Sequence, residues 1–311
     1  MLKLAAVVGP TASGKTDLAV KLATKLGGEI ISCDSMQVYK GMDIGTAKAK
    51  KEERHGVPHH LIDIVDIDQD FNVARYQRLA REIISEVNHR GGLPLMVGGT
   101  GLYYQAVVDN YHFFPLDSQR SVRTKWELAI DQLGLEYAYR ELQKVDQTYS
   151  EVISSSDRKR IVRALEVYEL TGQPFSTFQK QDPSAYHLAV VGLCQERQEL
   201  YRRIDQRVEQ MIEEGLVDEV LVLRQNKNYR DDLNSMQALG YKQIIAYLNG
   251  FIDWEGMINE IKRETRRYAK RQFTWFNRDR RIFWIEAGEN TKEEIILEKA
   301  CTYIEGHLNT V

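Results

Sequence analysis

Residues Gly9-Pro10-Thr11-Ala12-Ser13-Gly14-Lys15-Thr16 fit the phosphate-loop pattern G-x-x-x-x-G-K-[ST]. In such a loop the backbone N–H groups and the following helix N-terminus converge on an anion. Lys15 adds a point charge, and the Thr16 hydroxyl can help hold Mg²⁺. The expected occupant is a di- or triphosphate; whether it belongs to a nucleotide such as ATP stays open at this point. Asp34, at the head of Asp34-Ser35-Met36-Gln37, is a candidate general base or outer metal ligand, or an Asp that caps the next turn. Gly98-Gly99-Thr100-Gly101 is the third group. Its glycines let backbone approach a ligand closely and Thr100 is aimed at the same crevice, although a plain strand-to-helix turn reads the same way.

These groups need strands behind them. Leu4–Val8, Glu29–Cys33, Leu93–Val97, Leu188–Leu193 and Arg281–Ile285 are short apolar runs of the strand type. Helical patterns separate them, as in Asp17–Leu26, with Leu18, Leu22 and Leu26 on one face, and Tyr76–His89. The alternation predicts an α/β fold: a P-loop-type parallel sheet flanked by helices, with ligands outside the carboxyl ends of the strands. Residues 113–186 lack a convincing strand. Helical stretches at Val122–Gln132, Tyr137–Val145 and Asp157–Glu169, then a polar loop with Pro174 and Pro183, predict a helical insertion into a core of 1–112 and 187–311. Within that core, Gln198 to Gln272 is again helical. The run His60–Asp68 alternates Asp with apolar residues. It looks like the strand-plus-Asp of a nucleotide hydrolase and equally like a half-exposed strand. His59 and His60, adjacent on an extended chain, point opposite ways and make a poor metal pair.

Composition narrows the class. The 311 residues are 43% hydrophobic and 28% charged with net charge −3, so a nucleic-acid surface has to be a local concentration of Lys and Arg. No run approaches the roughly 18 apolar residues of a membrane span, and no signal peptide is expected. Cys33, Cys194 and Cys301 form no C-x-x-C pair, which fits reduced cytoplasm rather than a zinc site or disulfide framework. Lys262, Arg263, Arg266, Arg267, Lys270 and Arg271 fall in one cationic stripe on a helix, with Glu260 and Glu264 alone close enough in sequence to offset it. Arg158-Lys159-Arg160 with Arg163 is a second basic cluster. Two separated clusters on an acidic chain favour an extended RNA or DNA footprint over solvated helix faces. Tyr268, Phe273, Trp275 and Phe276 follow the stripe and are each more readily core than base-stacking residues.

Eight segments together resemble the bacterial tRNA dimethylallyltransferases, also called tRNA isopentenyltransferases, over essentially the whole chain. They are Gly9–Thr16, Asp34–Tyr39, Met42–Lys48, Pro58–Leu61, Gly98–Tyr103, Arg160–Val167, Leu239–Gln243 and Ala269–Phe276. The resemblance implies transfer of a dimethylallyl group from dimethylallyl diphosphate to N6 of the adenine 3′ of the anticodon. It implies that the P-loop serves mainly the prenyl diphosphate and that the insertion grips the anticodon stem-loop of tRNA. Asp34 would be the base, Lys15 and Mg²⁺ near Thr16 would stabilise the leaving diphosphate, and Thr100 would position the amine or the diphosphate. Ser35, Met36 and Gln37 would meet the extruded base, Gln37 by paired amide hydrogen bonds. Further RNA contacts carried over are Arg123, Lys159, Arg160, Arg163, Gly240, Tyr241, Lys242, Gln243, Arg267, Lys270 and Arg271. Family members often carry a diphosphate-binding Arg on the helix around Glu219–Leu223. This chain has Leu221 at the aligned position, with Arg224 nearby as a candidate diphosphate-binding residue. A monomer is expected.

Three rivals share parts of this pattern. A P-loop kinase or nucleotide hydrolase uses the same loop and metal but needs a γ-phosphate. An RNA-binding protein could use the loop as a nucleotide-gated switch. A prenyltransferase acting on free adenine nucleotides would need neither the basic clusters nor the insertion.

Overall fold

The computed structural model describes residues 1–113, 120–178, 182, 184–289 and 291–309. The chain forms two compact units, Met1–Val108 with Ser184–Val311, and Asp109–Pro183.

The first unit is built on six parallel strands: β1 (Leu2–Val8), β2 (Gly28–Ser32), β3 (His59–His60), β4 (Leu93–Gly98), β5 (Tyr186–Cys194) and β6 (Ile282–Glu286). Their order across the sheet is β3-β2-β4-β1-β5-β6. The register brings Val8 level with Gly98 of β4 and Gly192 of β5, and Ser32 level with Val97. The loops after β1, β2 and β4 therefore open at one edge of the sheet, where the strand order reverses.

Side chains of β1 alternate between two cores, as a strand buried on both faces requires. Ala5 and Val7 join the apolar side of α1 (Lys15–Leu26) and α12 (Glu293–Asn309). Leu4, Ala6 and Val8 join α2 (Val73–His89) and α3 (Gly101–Val108). The side chain of Asn72 caps α2 by accepting the Arg75 N–H at 2.9 Å, so the helix begins three residues before Tyr76.

Beyond His60 the Asp-alternating run is not a strand. Leu61 and Asp63 take positive φ, 61° and 57°, which ends a ladder. Asp63 instead meets the buried ammonium of Lys48 at 2.5 Å, shared with Asp43 at 2.8 Å and the Tyr39 carbonyl at 2.6 Å. His60 pairs with Glu29 at 2.7 Å, and the His59 ring bonds the Val57 carbonyl.

Four more helices complete this unit: α8 (Arg197–Glu213), α9 (Leu216–Arg224), α10 (Tyr241–Leu248) and α11 (Trp254–Phe276). They enclose a third core with Val38, Tyr39, Met42 and Val65. Glu219 ties it together. Its carboxylate accepts the N–H groups of Asp43, Ile44 and Gly45 at 2.7–3.2 Å and the Tyr241 hydroxyl at 2.5 Å.

The second unit packs α4 (Arg120–Leu133), α5 (Leu135–Val145), α6 (Gln147–Val152) and α7 (Arg158–Thr171) around Ile130, Leu142, Tyr149, Ile161 and Leu165. No strand occurs among its described residues. The six-residue α6, not anticipated from periodicity, exists because Asp146 caps it through the Tyr149 N–H and also holds the Ser176 N–H and hydroxyl.

Candidate active site

The P-loop joins β1 to α1, and Gly14 begins the helix at φ 86° with open space where a Cβ would stand. A buried amide on α11 fixes the loop. Gln272 accepts the Thr11 N–H at 2.9 Å and donates to the Gly99 carbonyl at 3.0 Å. A Cβ on Gly99 would stand 2.1 Å from that amide nitrogen, so only glycine admits the bridge. The same side chain thus locks the phosphate loop to the β4 turn, and it occupies the Thr11 N–H. Ser13 is 1% exposed and its hydroxyl has no hydrogen-bond partner among the described residues. The half-buried Lys15 folds back to donate to the Pro10 carbonyl. Burial lowers its pKa to about 7, aided by the nearby Arg207 charge and opposed by Asp34.

Asp34, just beyond the end of β2, lies in the field of this cation. Its Oδ1 accepts the Met36 N–H at 2.8 Å and the Gln37 N–H at 3.3 Å, an Asx-type turn that sets the carboxylate direction. Burial raises its pKa. The two backbone bonds and the charges of Lys15 and Arg207 pull it back down, and the net displacement is upward. Thr100 sits beside it, its Oγ1 accepting the Ser35 N–H at 3.2 Å and its own N–H donating to the Cys33 carbonyl at 3.2 Å. The close passage of β4 over β2 that this needs is allowed by Gly98, where a Cβ would lie 2.1 Å from the Cys33 carbonyl oxygen.

Two further residues belong here that their spacing does not announce. Tyr268 on α11 hydrogen-bonds with the side chains of Thr100 and Gln272 and lies in the field of Asp34; burial pushes its pKa up to about 12, so it keeps its proton. Arg207 on α8 lies in the field of Asp17, Asp34, Glu53 and Glu214, and burial lowers its pKa. No hydrogen bond or ion pair engages its guanidinium among the described residues, although it is only partly exposed. A desolvated cation without a direct partner is suited to an arriving anion.

The other sequence-designated residues divide between this site and more distant parts of the fold. Arg224 is held by Asn249 at 2.6 Å, Asp231 at 3.3 Å and Tyr229, so the second cation near Lys15 and Asp34 is Arg207. Gln37 does not offer its amide edge to a base: Oε1 accepts the Ser32 hydroxyl at 2.8 Å and Nε2 donates to the Thr46 and Ala47 carbonyls. Tyr241 is fully buried on Glu219, and Gln243 is buried with its Oε1 accepting the Gly240 N–H at 3.0 Å. In Gly240–Gln243 it is Lys242 that is exposed. Ser35 and Met36 are partly exposed beside Asp34.

The α11 stripe is more neutralised than its own sequence indicated. Besides Glu260 and Glu264, α8 supplies Asp205, bidentate to Arg266 at 2.6 and 2.7 Å, and Glu209, paired with Lys262 at 2.5 Å. Arg263 and Arg267 share Glu264. Lys270 and Arg271 are exposed without an ion pair among the described residues, Arg271 lying over the Tyr268 ring. Of the aromatics that follow, Phe276 is core and Phe273 is 41% exposed. In the helical unit Arg123 and Arg163 pair with Glu166, Arg160 pairs with Asp157, and Lys159 is exposed.

No group of three or more His, Cys, Asp or Glu gathers as a metal site among the described residues. No described helix is long and apolar enough to cross a membrane.

A parallel sheet with a phosphate loop at its switch point, a carboxylate across the crevice and a cation from a neighbouring helix define a group-transfer enzyme of the P-loop class. Residues 37–279 match the family model described as IPP transferase. A tRNA dimethylallyltransferase of Syntrophomonas wolfei is 56% identical over the full length of both chains, and one of Moorella thermoacetica is 53% identical over 94% of this chain and 92% of its own. Among solved structures, a tRNA isopentenylpyrophosphate transferase of Bacillus halodurans has TM-score 0.76 at 42% identity, covering 99% of this chain and 97% of its own. A eukaryotic dimethylallyltransferase acting on tRNA has TM-score 0.84 at 29% identity, covering 98% and 80%. The chain belongs to the IPP transferase family and is a prenyl-transferring enzyme.

Proposed function

We infer that this enzyme moves a dimethylallyl group from dimethylallyl diphosphate to N6 of the adenine 3′-adjacent to the anticodon of tRNA, releasing diphosphate. The observation that carries the reading is that Asp34, Lys15 and Arg207, the last without a hydrogen bond or ion pair among the described residues, lie within one another's electrostatic field beside the phosphate loop. A phosphoryl-transfer enzyme and an adenine alkylator both need the cations. Both also use a carboxylate at the nucleophile, so it is the likeness to tRNA dimethylallyltransferases that favours the amine; its N6 lone pair is delocalised into the ring, and the amine must lose a proton as the C–N bond forms.

In this reading the loop N–H groups, Lys15 and Arg207 take the charge that grows on the diphosphate as the allylic C–O bond breaks. Asp34 accepts the N6 proton. Thr100, held by the Ser35 N–H and by Tyr268, orients the amine beside it. The Thr16 hydroxyl, with diphosphate oxygens and water, forms a donor set that fits Mg²⁺, which keeps several waters and few protein ligands; bound there, the ion would add neutralising charge at the leaving group. The adenine reaches the crevice by leaving its stack, which costs less in a loop than in a duplex. Ser35 and Met36 border that entry, while Gln37 braces the turn behind it. We place the reaction in the cytoplasm, where tRNA is found and where Cys33, Cys194 and Cys301 stay as free thiols.

The direct test is mass spectrometry of nucleosides from tRNA incubated with the protein, Mg²⁺ and dimethylallyl diphosphate. N6-dimethylallyladenosine at the position 3′ of the anticodon is expected; ADP formed from ATP without any prenylated nucleoside would return the chain to the kinase reading.

We also propose that RNA backbone lies along the free end of the α11 stripe and on the helical unit, which grips the anticodon arm. Charge reversal at Lys270 and Arg271 together is expected to weaken tRNA binding and to flatten the log Kd against log salt slope by about 1–2. Reversal of Arg266, which Asp205 already neutralises, is expected to change the slope less. Equal slopes in wild type and the double variant would make Lys270 and Arg271 a merely solvated face.

A further inference from the structure

Glu166, on α7, is 0% exposed. Arg123 of α4 and Arg163 of α7 both reach its Oε2, at 3.1 and 2.9 Å, while Oε1 is buried without a hydrogen-bond partner among the described residues. Touching one oxygen, the two guanidinium nitrogens lie within about 6 Å of each other. The arginine side chains are 44% and 34% exposed.

As a means of holding α4 to α7 this is a poor device. A buried carboxylate is costly to desolvate, and apolar side chains of the same volume serve packing as well or better. Here half of the carboxylate's hydrogen-bonding capacity goes unused. Glu169, one turn on, already joins the helices through Lys125 at 2.6 Å and the Trp126 N–H at 2.9 Å. What Glu166 does achieve is to hold two like charges side by side at the surface, which mutual repulsion would otherwise splay apart. Each guanidinium carries five N–H donors in a fixed plane, so most remain for a partner outside. Planar forks of this kind recognise phosphate oxygens bidentately. Lys159 lies one turn before Arg163 on the same face of α7, exposed and without an ion pair among the described residues. It extends the row of cations.

We propose that Glu166 is a positioning residue that sets Arg123 and Arg163 as a paired guanidinium fork for the phosphate backbone of the RNA substrate. The proposal rests on the reading that the helical unit grips RNA. It makes a prediction opposite in sign to simple electrostatics. If Glu166 only neutralised the cluster, the isosteric change Glu166→Gln would add positive charge and tighten RNA binding. If it positions the fork, the same change weakens it.

The experiment measures Kd for an anticodon stem-loop RNA by fluorescence anisotropy, together with steady-state transfer to full-length tRNA, in the full chain. Four proteins are compared: wild type, Glu166→Gln, Arg123→Ala/Arg163→Ala, and the triple variant. Expected is a roughly tenfold loss of RNA affinity in Glu166→Gln, appearing in KM for tRNA more than in kcat, and no further loss when Glu166→Gln is added to the double-alanine background. Tighter binding in Glu166→Gln, or an equal loss with and without the arginines, overturns the positioning role and leaves the RNA-gripping reading standing. Unchanged affinity in Arg123→Ala/Arg163→Ala overturns that reading at this cluster and the fork with it.

Discussion

Asp34→Asn is expected to lower single-turnover transfer of the dimethylallyl group by about 10²–10⁴-fold, the usual contribution of a positioned general base, with little change in tRNA affinity. The substitution is close to isosteric and keeps an oxygen for the Met36 and Gln37 N–H groups, so the turn survives while proton acceptance is lost. The pH profile adds a second readout. Transfer needs the ionised carboxylate, so the rate falls as pH drops through the Asp34 pKa. Burial lifts that pKa above the ordinary 3.8, and the acid limb should therefore lie above the range of an exposed Asp. A bound diphosphate, itself anionic, moves it further up. Single-turnover rates in both proteins across the acid range check this. A rate in Asp34→Asn within a few-fold of wild type would remove Asp34 from the chemistry.

What could be read in the chain before its fold was known divides along one physical line. Gly9–Thr16 announces itself because a phosphate loop is local: glycines, lysine and hydroxyl act within eight consecutive residues. β1 and β4 are legible for the same reason, as apolar runs against turn residues. Arg207 is not. It stands among Arg202, Arg203 and other charges of an ordinary-looking helix, and its value comes from lying in the field of Lys15 and Asp34, which are more than half the chain away in sequence. A diphosphate arginine was instead expected one helix later, where Arg224 proves to hold Asp231 and Asn249. The α11 stripe misled in the opposite direction. Its charges were visible, but Asp205 and Glu209 come from another helix, and no reading of residues 260–271 contains them. Gln37, Tyr241 and Gln243 differ in a third way. Their types suit base recognition, yet within the fold the Gln37 Oε1 already accepts the Ser32 hydroxyl, the Gln243 Oε1 accepts the Gly240 N–H and the Tyr241 hydroxyl donates to Glu219. Sequence spacing shows which groups can do chemistry; burial decides which of them are free to.

That distinction bears hardest on Lys15. Lys15→Ala is expected to lower single-turnover transfer by about 10²–10³-fold, as loss of one donor to a developing anion does elsewhere, again with tRNA affinity nearly unchanged. Its ionisation makes the role visible without turnover. In the empty enzyme burial and Arg207 lower the pKa to about 7, so at pH 8 the side chain is mostly neutral. A bound diphosphate favours the charged form, and donor binding at pH 8 should take up close to one proton. Calorimetric titrations in buffers of different ionisation enthalpy measure that uptake, and Lys15→Ala should lose it. The empty protein carries the matching signature. Between about 7 and the unfolded value of 10.5 the unfolded chain holds a proton that the folded chain does not, so wild-type stability rises with pH across this window. The rise should flatten in Lys15→Ala. Donor binding without proton uptake in the wild type, alongside a normal rate in the variant, would mean that the diphosphate is gripped by Arg207 and the loop N–H groups alone, with Lys15 no more than a buried amine folded on Pro10.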